Sequence, residues 1–185
     1  MKFKYILLLL SLVLAAFISQ KQAFAQLNSS GSSAILADAR EESVADNRVK
    51  ILREFLESYS SPIAQNAEEF VRYADFYNLD WRFVAAISGI ESTFGHQIPY
   101  GSYNAWGWGV YGNNVTYFSS WTEGIRIISK GLRENYMNKW GAADIYQVGR
   151  IYAASPTWAV RVESFMNRIS NFSILNPKDS LSISL

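Results

Sequence analysis

The sequence predicts a mainly α domain with one small β element, and three observations predict it. Apolar residues recur at helical spacing in six separate stretches between Val49 and Ile169. Most of those stretches are bounded by cap or breaker residues. A single Gly- and aromatic-rich segment, Gly95 to Ser119, shows no helical period.

The chain opens with a targeting signature. Lys2 and Lys4 precede an apolar run from Tyr5 to Ile18, broken only by Ser11, and Ala23-Phe24-Ala25 supplies a small-x-small cleavage pattern. The run falls short of the ~20 apolar residues of a spanning helix. Residues 1–25 are therefore expected to be a signal peptide, with retention as an N-terminal anchor as the competing reading. Cleavage would leave 160 of the 185 residues, enough for one domain with its own core. It would also remove Lys2, Lys4 and Lys21, taking the formal charge from +1 to −2. A near-neutral chain without a basic run offers no footprint for nucleic acid. No other segment reads as a membrane span, and a lipid anchor is disfavoured because no cysteine follows the signal segment. With no cysteine and a single histidine, His96, neither a disulfide framework nor a zinc site is expected, and no cofactor is implied.

Residues 26–46 are rich in Ser, Ala and small polar residues and read as a flexible spacer. The domain is expected over 47–175, followed by a short tail at 176–185. Val49, Ile51, Leu52, Phe55 and Leu56 mark a first helix closed by Pro62. Phe70, Val71, Ala74 and Tyr77 mark a second, from about Ile63 to Tyr77, ended by Asn78. Asp80 is expected to cap a third, from Trp81 to about Thr93, stopped by Gly95. Ser120-Trp121-Thr122-Glu123 is a capping box opening a fourth, which carries Ile125, Ile128, Leu132 and Tyr136. A fifth is expected over Ala142 to Ala154, broken by Pro156. Trp158, Val162, Phe165, Met166 and Ile169 mark a sixth. Between helices three and four, the pieces around Trp106 to Tyr111 and Val115 to Phe118 suggest a small hairpin turning at Gly112-Asn113-Asn114.

Helix three carries the chemical signal. From Trp81 to Ile90 its only charge is Arg82, and a helix apolar nearly all round is a buried one. Glu91 stands at its C-terminal end. Burial and the negative end of the helix both disfavour a carboxylate there, and so favour an acid able to donate a proton. Fraying into solvent is the bland alternative for that position.

The surrounding residues resemble a known family. Ile90-Glu91-Ser92-Thr93-Phe94-Gly95, then Ser102-Tyr103-Asn104-Ala105-Trp106-Gly107-Trp108-Gly109, then Tyr152-Ala153-Ala154-Ser155-Pro156, are similar in kind and order to motifs of the bacterial glucosaminidases of glycoside hydrolase family 73. They also look like the wider lysozyme-like superfamily, with the lytic transglycosylases, to which the ordered set is more specific than to any one family within it. The third motif is a partial match, because Ala154-Ser155 stands where those enzymes commonly carry Thr-Asp. The resemblance implies a lysozyme-like fold with a groove for peptidoglycan glycan strands. It further implies an exported or cell-envelope enzyme, with Glu91 protonating the glycosidic oxygen and Ser92, Tyr103, Asn104, Trp106 and Tyr152 around the substrate.

Most glycosidases pair the acid with a second carboxylate, yet Ser92 to Thr122 contains no Asp or Glu. Glu123 is better explained by the capping box, and Asp144 and Glu163 have no motif to recommend them. Two single-acid routes remain, with a slight tilt toward hydrolysis. The substrate's N-acetyl group can act as nucleophile, or Glu91 can return to take a proton from the sugar 6-hydroxyl, leaving an anhydro end as the lytic transglycosylases do. The aromatic residues between Tyr100 and Trp121 suit sugar rings, about half of them being expected in the core. Tyr103 and Trp106 are the preferred contacts, whereas Trp158 reads as packing. A glycan-binding module without catalysis is the rival from another class, and the retained Glu91 argues against it.

Overall fold

The structure, a computed structural model, describes residues 47–110, 112 and 114–175. The expected signal peptide, spacer and C-terminal tail lie outside the described residues. The domain is mainly helical, as the periodicity requires. Its elements are α1 (47–58), a 3-10 turn at Ala64–Asn66, α2 (Ala67–Phe76), α3 (Phe83–Ser92), α4 (Trp121–Gly131), a π-helical segment at Leu132–Lys139, α5 (Ile145–Tyr152) and α6 (Trp158–Leu175). No helix among the described residues is long and apolar enough to cross a membrane.

Helix α1 buries Leu52, Phe55 and Leu56 and ends at a left-handed Ser60. Arg48 donates two bonds of 2.8 Å to the Asp75 carboxylate, tying α1 to the end of α2. Helix α2 buries Ala67, Phe70, Val71 and Ala74, and carries Glu68 and Glu69 in its first turn, where the helix dipole favours them. Asn78 in the left-handed region turns the chain out of it. Helix α3 is the centre: Phe83 to Ser88 are all buried, and it packs chiefly on α6 with lesser contacts to α2 and α4.

Several boundaries differ from the sequence reading. Helix α3 starts two residues later than expected, because the Asp80 carboxylate takes the Arg82 backbone N–H at 3.0 Å and also its guanidinium, making residues 80–82 a turn. Helix α5 is shorter than Ala142–Ala154. Asp144 caps it by accepting from the Gln147 N–H at 2.8 Å, and Ala153 is already extended. The fourth helix reaches Tyr136 as expected, but from Leu132 it widens to π geometry.

The expected hairpin falls partly outside the described residues, since Tyr111 and Asn113 are not among them; Asn114 is a bridge residue, and no continuous strand occurs among the described residues. Side-chain bonding replaces the ladder. The Asn104 carboxamide donates to the carbonyls of Trp108 (2.9 Å) and Thr116 (3.0 Å) and accepts from the Trp108 N–H (3.0 Å), while the Phe118 N–H reaches the Ser102 carbonyl (2.9 Å).

Four helical glycines explain how so many rings fit. A Cβ on Gly89 would meet the Phe94 ring at 2.6 Å, on Gly124 the Trp106 ring at 2.6 Å, on Gly131 the Trp108 ring at 2.5 Å and on Gly149 the Trp158 ring at 3.0 Å. Each aromatic therefore lies flush against helix backbone. Glycine weakens a helix interior by ~1 kcal/mol, a cost offset here by close ring burial.

Candidate active site

Glu91 occupies the last turn of α3, half-buried, with the chain reversing directly behind it. Thr93, Phe94 and Gly95 all take left-handed backbone (φ 53°, 57° and 89°), unusual for the first two. Ser92 and Phe94 hold that reversal. The fully buried Phe94 ring inserts among Tyr59, Phe165 and Phe55 at 4.6, 5.1 and 5.5 Å. The Ser92 hydroxyl lies 2.8 Å from the Ala105 carbonyl and 3.1 Å from the Ser88 carbonyl, and accepts from the Gly95 N–H at 2.9 Å. Ser92 thus ties the acid-bearing helix to the aromatic loop.

Two elements converge on the carboxyl group. The Trp158 indole N–H, from the first residue of α6, donates to Glu91 Oε1 at 2.7 Å. The backbone of Gly107 passes beside the other oxygen, so that a Cβ there would stand 3.4 Å from Oε2. Gly107 has φ +60°, so a side chain at this position would be strained as well as close to the acid.

Behind Trp158 the rings continue. Tyr152 stacks on it at 4.8 Å, and its hydroxyl donates to the Trp106 carbonyl at 2.6 Å. The enclosed position of that hydroxyl, then the negative charge of Glu91 and finally Tyr136, push the Tyr152 phenol well above its ordinary value. Tyr152 is therefore a neutral donor near Glu91 across the biological pH range.

The residues expected around the substrate divide into two groups. Tyr152 sits close enough to feel the Glu91 charge. Tyr103, 38 % exposed, is edge-on to Trp121 at 5.2 Å and flanks α4. Ser92, Asn104 and Trp106, also expected around the substrate, have buried side chains. Trp106 is wholly enclosed, its indole N–H donating to the Val84 carbonyl at 2.9 Å.

Trp158 is the residue the sequence reading missed. Its apolar spacing in α6 disguised it as packing. It is indeed 2 % exposed, but its one polar atom is spent on Glu91. The only available signal was its place just after the Tyr152–Pro156 motif, since a buried indole N–H usually seeks an acceptor.

None of the described contacts of Glu91 is to another carboxylate. Glu123 is engaged at the start of α4, where it accepts from the Ser119 N–H and hydroxyl at 2.7 Å each while Ser120 caps the Glu123 N–H. Those Ser119 bonds, backbone first, lower its carboxyl below the ordinary value. Asp144 caps α5, and Glu163 accepts from the Tyr146 hydroxyl at 2.7 Å. No group of acidic, histidine or cysteine residues suited to a metal ion occurs among the described residues. A groove of about 820 Å³ between α1 and α6, lined by residues such as Phe55, Tyr59, Arg168 and Phe172, does not include Glu91. Concavity alone would therefore point away from Glu91.

No protein-family model matches the chain, and no curated protein or solved structure is significantly similar to it.

Proposed function

We propose that the chain is an exported glycosidase with a lysozyme-like fold, cleaving β-1,4 bonds of peptidoglycan glycan strands with Glu91 as general acid. The observation that carries this reading is the setting of Glu91. A single half-buried carboxyl ends the central buried helix, oriented by a hydrogen bond from Trp158, with the backbone of Gly107 beside its other oxygen. Orientation by a buried donor is what proton transfer to a glycosidic oxygen requires, since the reacting atoms must be held within hydrogen-bond reach.

With no Asp or Glu from Ser92 to Thr122, and with Glu123 and Asp144 engaged at helix starts and Glu163 bonded to Tyr146, a single-acid route is the form of the proposal. In the hydrolytic form, Glu91 protonates the leaving oxygen as the glycosidic C–O bond breaks. The substrate's N-acetyl oxygen bonds to the anomeric carbon, and water then opens that intermediate, returning a proton to Glu91. In the lytic transglycosylase form, the ionised Glu91 takes the 6-hydroxyl proton, and the resulting oxygen closes on the anomeric carbon.

The test is digestion of purified peptidoglycan by the protein and its Glu91→Gln variant, with mass spectrometry of the released fragments. Release by the parent and its loss in the variant supports the assignment, with reducing ends marking hydrolysis and anhydro ends transglycosylation. A folded parent that releases nothing overturns the enzyme reading and leaves a glycan-binding module in its place.

A further inference from the structure

Aromatic contacts lead from the candidate acid to the surface. Trp158, bonded to Glu91, stacks on Tyr152 at 4.8 Å; Tyr152 meets Tyr136 at 5.6 Å; Tyr136 meets Trp140 edge-on at 4.9 Å. Trp108 closes the cluster, 5.9 Å from Tyr136 and 6.2 Å from Tyr152. The first ring is 2 % exposed and the last, Trp140, is 50 % exposed.

Trp140 is held in place and is no frayed end. It follows the π-helical segment, and its N–H bonds to the Asn135 carbonyl at 2.8 Å. The next residues lock the turn: Gly141, with φ +74°, donates to the Met137 carbonyl at 3.1 Å and Ala142 to the Tyr136 carbonyl at 2.9 Å. Because π geometry forfeits the ordinary i→i−4 bonding, a whole segment of it needs compensation, and such geometry concentrates at functional sites.

The surroundings of Trp140 select the kind of ligand. Its neighbours along the chain, Asn138, Lys139, Gly141, Ala143 and Asp144, are all exposed, so the indole is flanked in sequence by small, polar and charged residues. A protein partner driven by apolar burial needs a contiguous patch of roughly several hundred Å². A sugar ring needs one aromatic face for its C–H surface, with polar groups around the rim for its hydroxyls.

We infer that Trp140, backed by Tyr136, is a stacking platform for an N-acetylhexosamine unit of a β-1,4-linked strand whose scissile bond lies at Glu91. The inference rests on the glycosidase reading and adds a binding site to it. The platform increases occupancy of the strand and leaves the proton transfer at Glu91 untouched.

The test uses the β-1,4-linked N-acetylglucosamine tetramer as probe, with binding to the Glu91→Gln protein measured by calorimetry. Adding Trp140→Ala should raise Kd about tenfold, the worth of one aromatic contact, whereas Trp140→Tyr should restore most of the affinity. With Glu91 intact, Trp140→Ala should raise KM for peptidoglycan release more than it lowers kcat. Parent-like tetramer affinity in the folded Trp140→Ala variant overturns the platform, while undiminished release by the parent leaves the glycosidase reading standing. If the parent neither releases fragments nor binds the tetramer, both fall together.

Discussion

Replacing Gly89 by alanine sets two effects of opposite sign against each other. In an exposed helix interior the change favours folding by about 1 kcal/mol. In α3 the added Cβ would lie 2.6 and 2.7 Å from two ring carbons of Phe94. Carbon atoms in good contact sit at about 3.5–4.0 Å, so the ring must retreat by ~1 Å. It has nowhere to go, being fully buried with the Tyr59 ring at 4.6 Å and the Phe165 ring at 5.1 Å. Its backbone is also committed to the left-handed reversal that follows Glu91. Overpacking of this kind costs about 1–3 kcal/mol. The net expectation is a loss of up to about 2 kcal/mol, read as a lower urea midpoint at unchanged slope. Combining the change with Phe94→Leu should relieve the clash, giving a coupling of about 1 kcal/mol or more in the double-mutant cycle. Stabilisation by Gly89→Ala alone, or strict additivity with Phe94→Leu, would refute the idea that Phe94 is seated on this glycine.

Two further outcomes are expected. Trp158→Phe keeps an aromatic ring over Gly149 but removes the donor to Glu91, a hydrogen bond worth about 0.5–1.5 kcal/mol. Stability should fall by that order and kcat for peptidoglycan release should fall more than KM changes; parent-like kcat in a stable variant would show that the bond does not position the acid. Asp80→Asn tests the turn before α3. Burial raises the Asp80 carboxyl, but the Arg82 side-chain bond, backbone bond and charge together outweigh it, leaving the group below its ordinary 3.8. A carboxyl lowered by folding contributes stability that is full above 3.8 and is lost as pH falls through the lower folded value. The variant should therefore melt below the parent near neutral pH, with the gap closing in acid below about 3.8. A gap independent of pH would count against the Arg82 pairing.

What was legible in the sequence was what depends on neighbours along the chain. Apolar spacing located all six helices, and the Ser120 cap with Glu123 beside it was recognisable because capping spans only three or four residues. The buried character of α3, with Glu91 at its end, followed from the same local pattern. Contacts between distant residues were not legible. Asn104 and Trp106 stood out by their motif alone; that one crosslinks two arms of the loop and the other fills the core above Gly124 could not be read from spacing. Trp158 looked like packing, although its indole reaches a carboxylate 67 positions earlier in the chain. Glycines inside helices read as weaknesses until the rings seated on them are seen. Spacing reports which face a residue occupies and how its own turn is capped. Only the tertiary structure decides which buried polar atom meets which partner, because that depends on how helices far apart in the chain pack together.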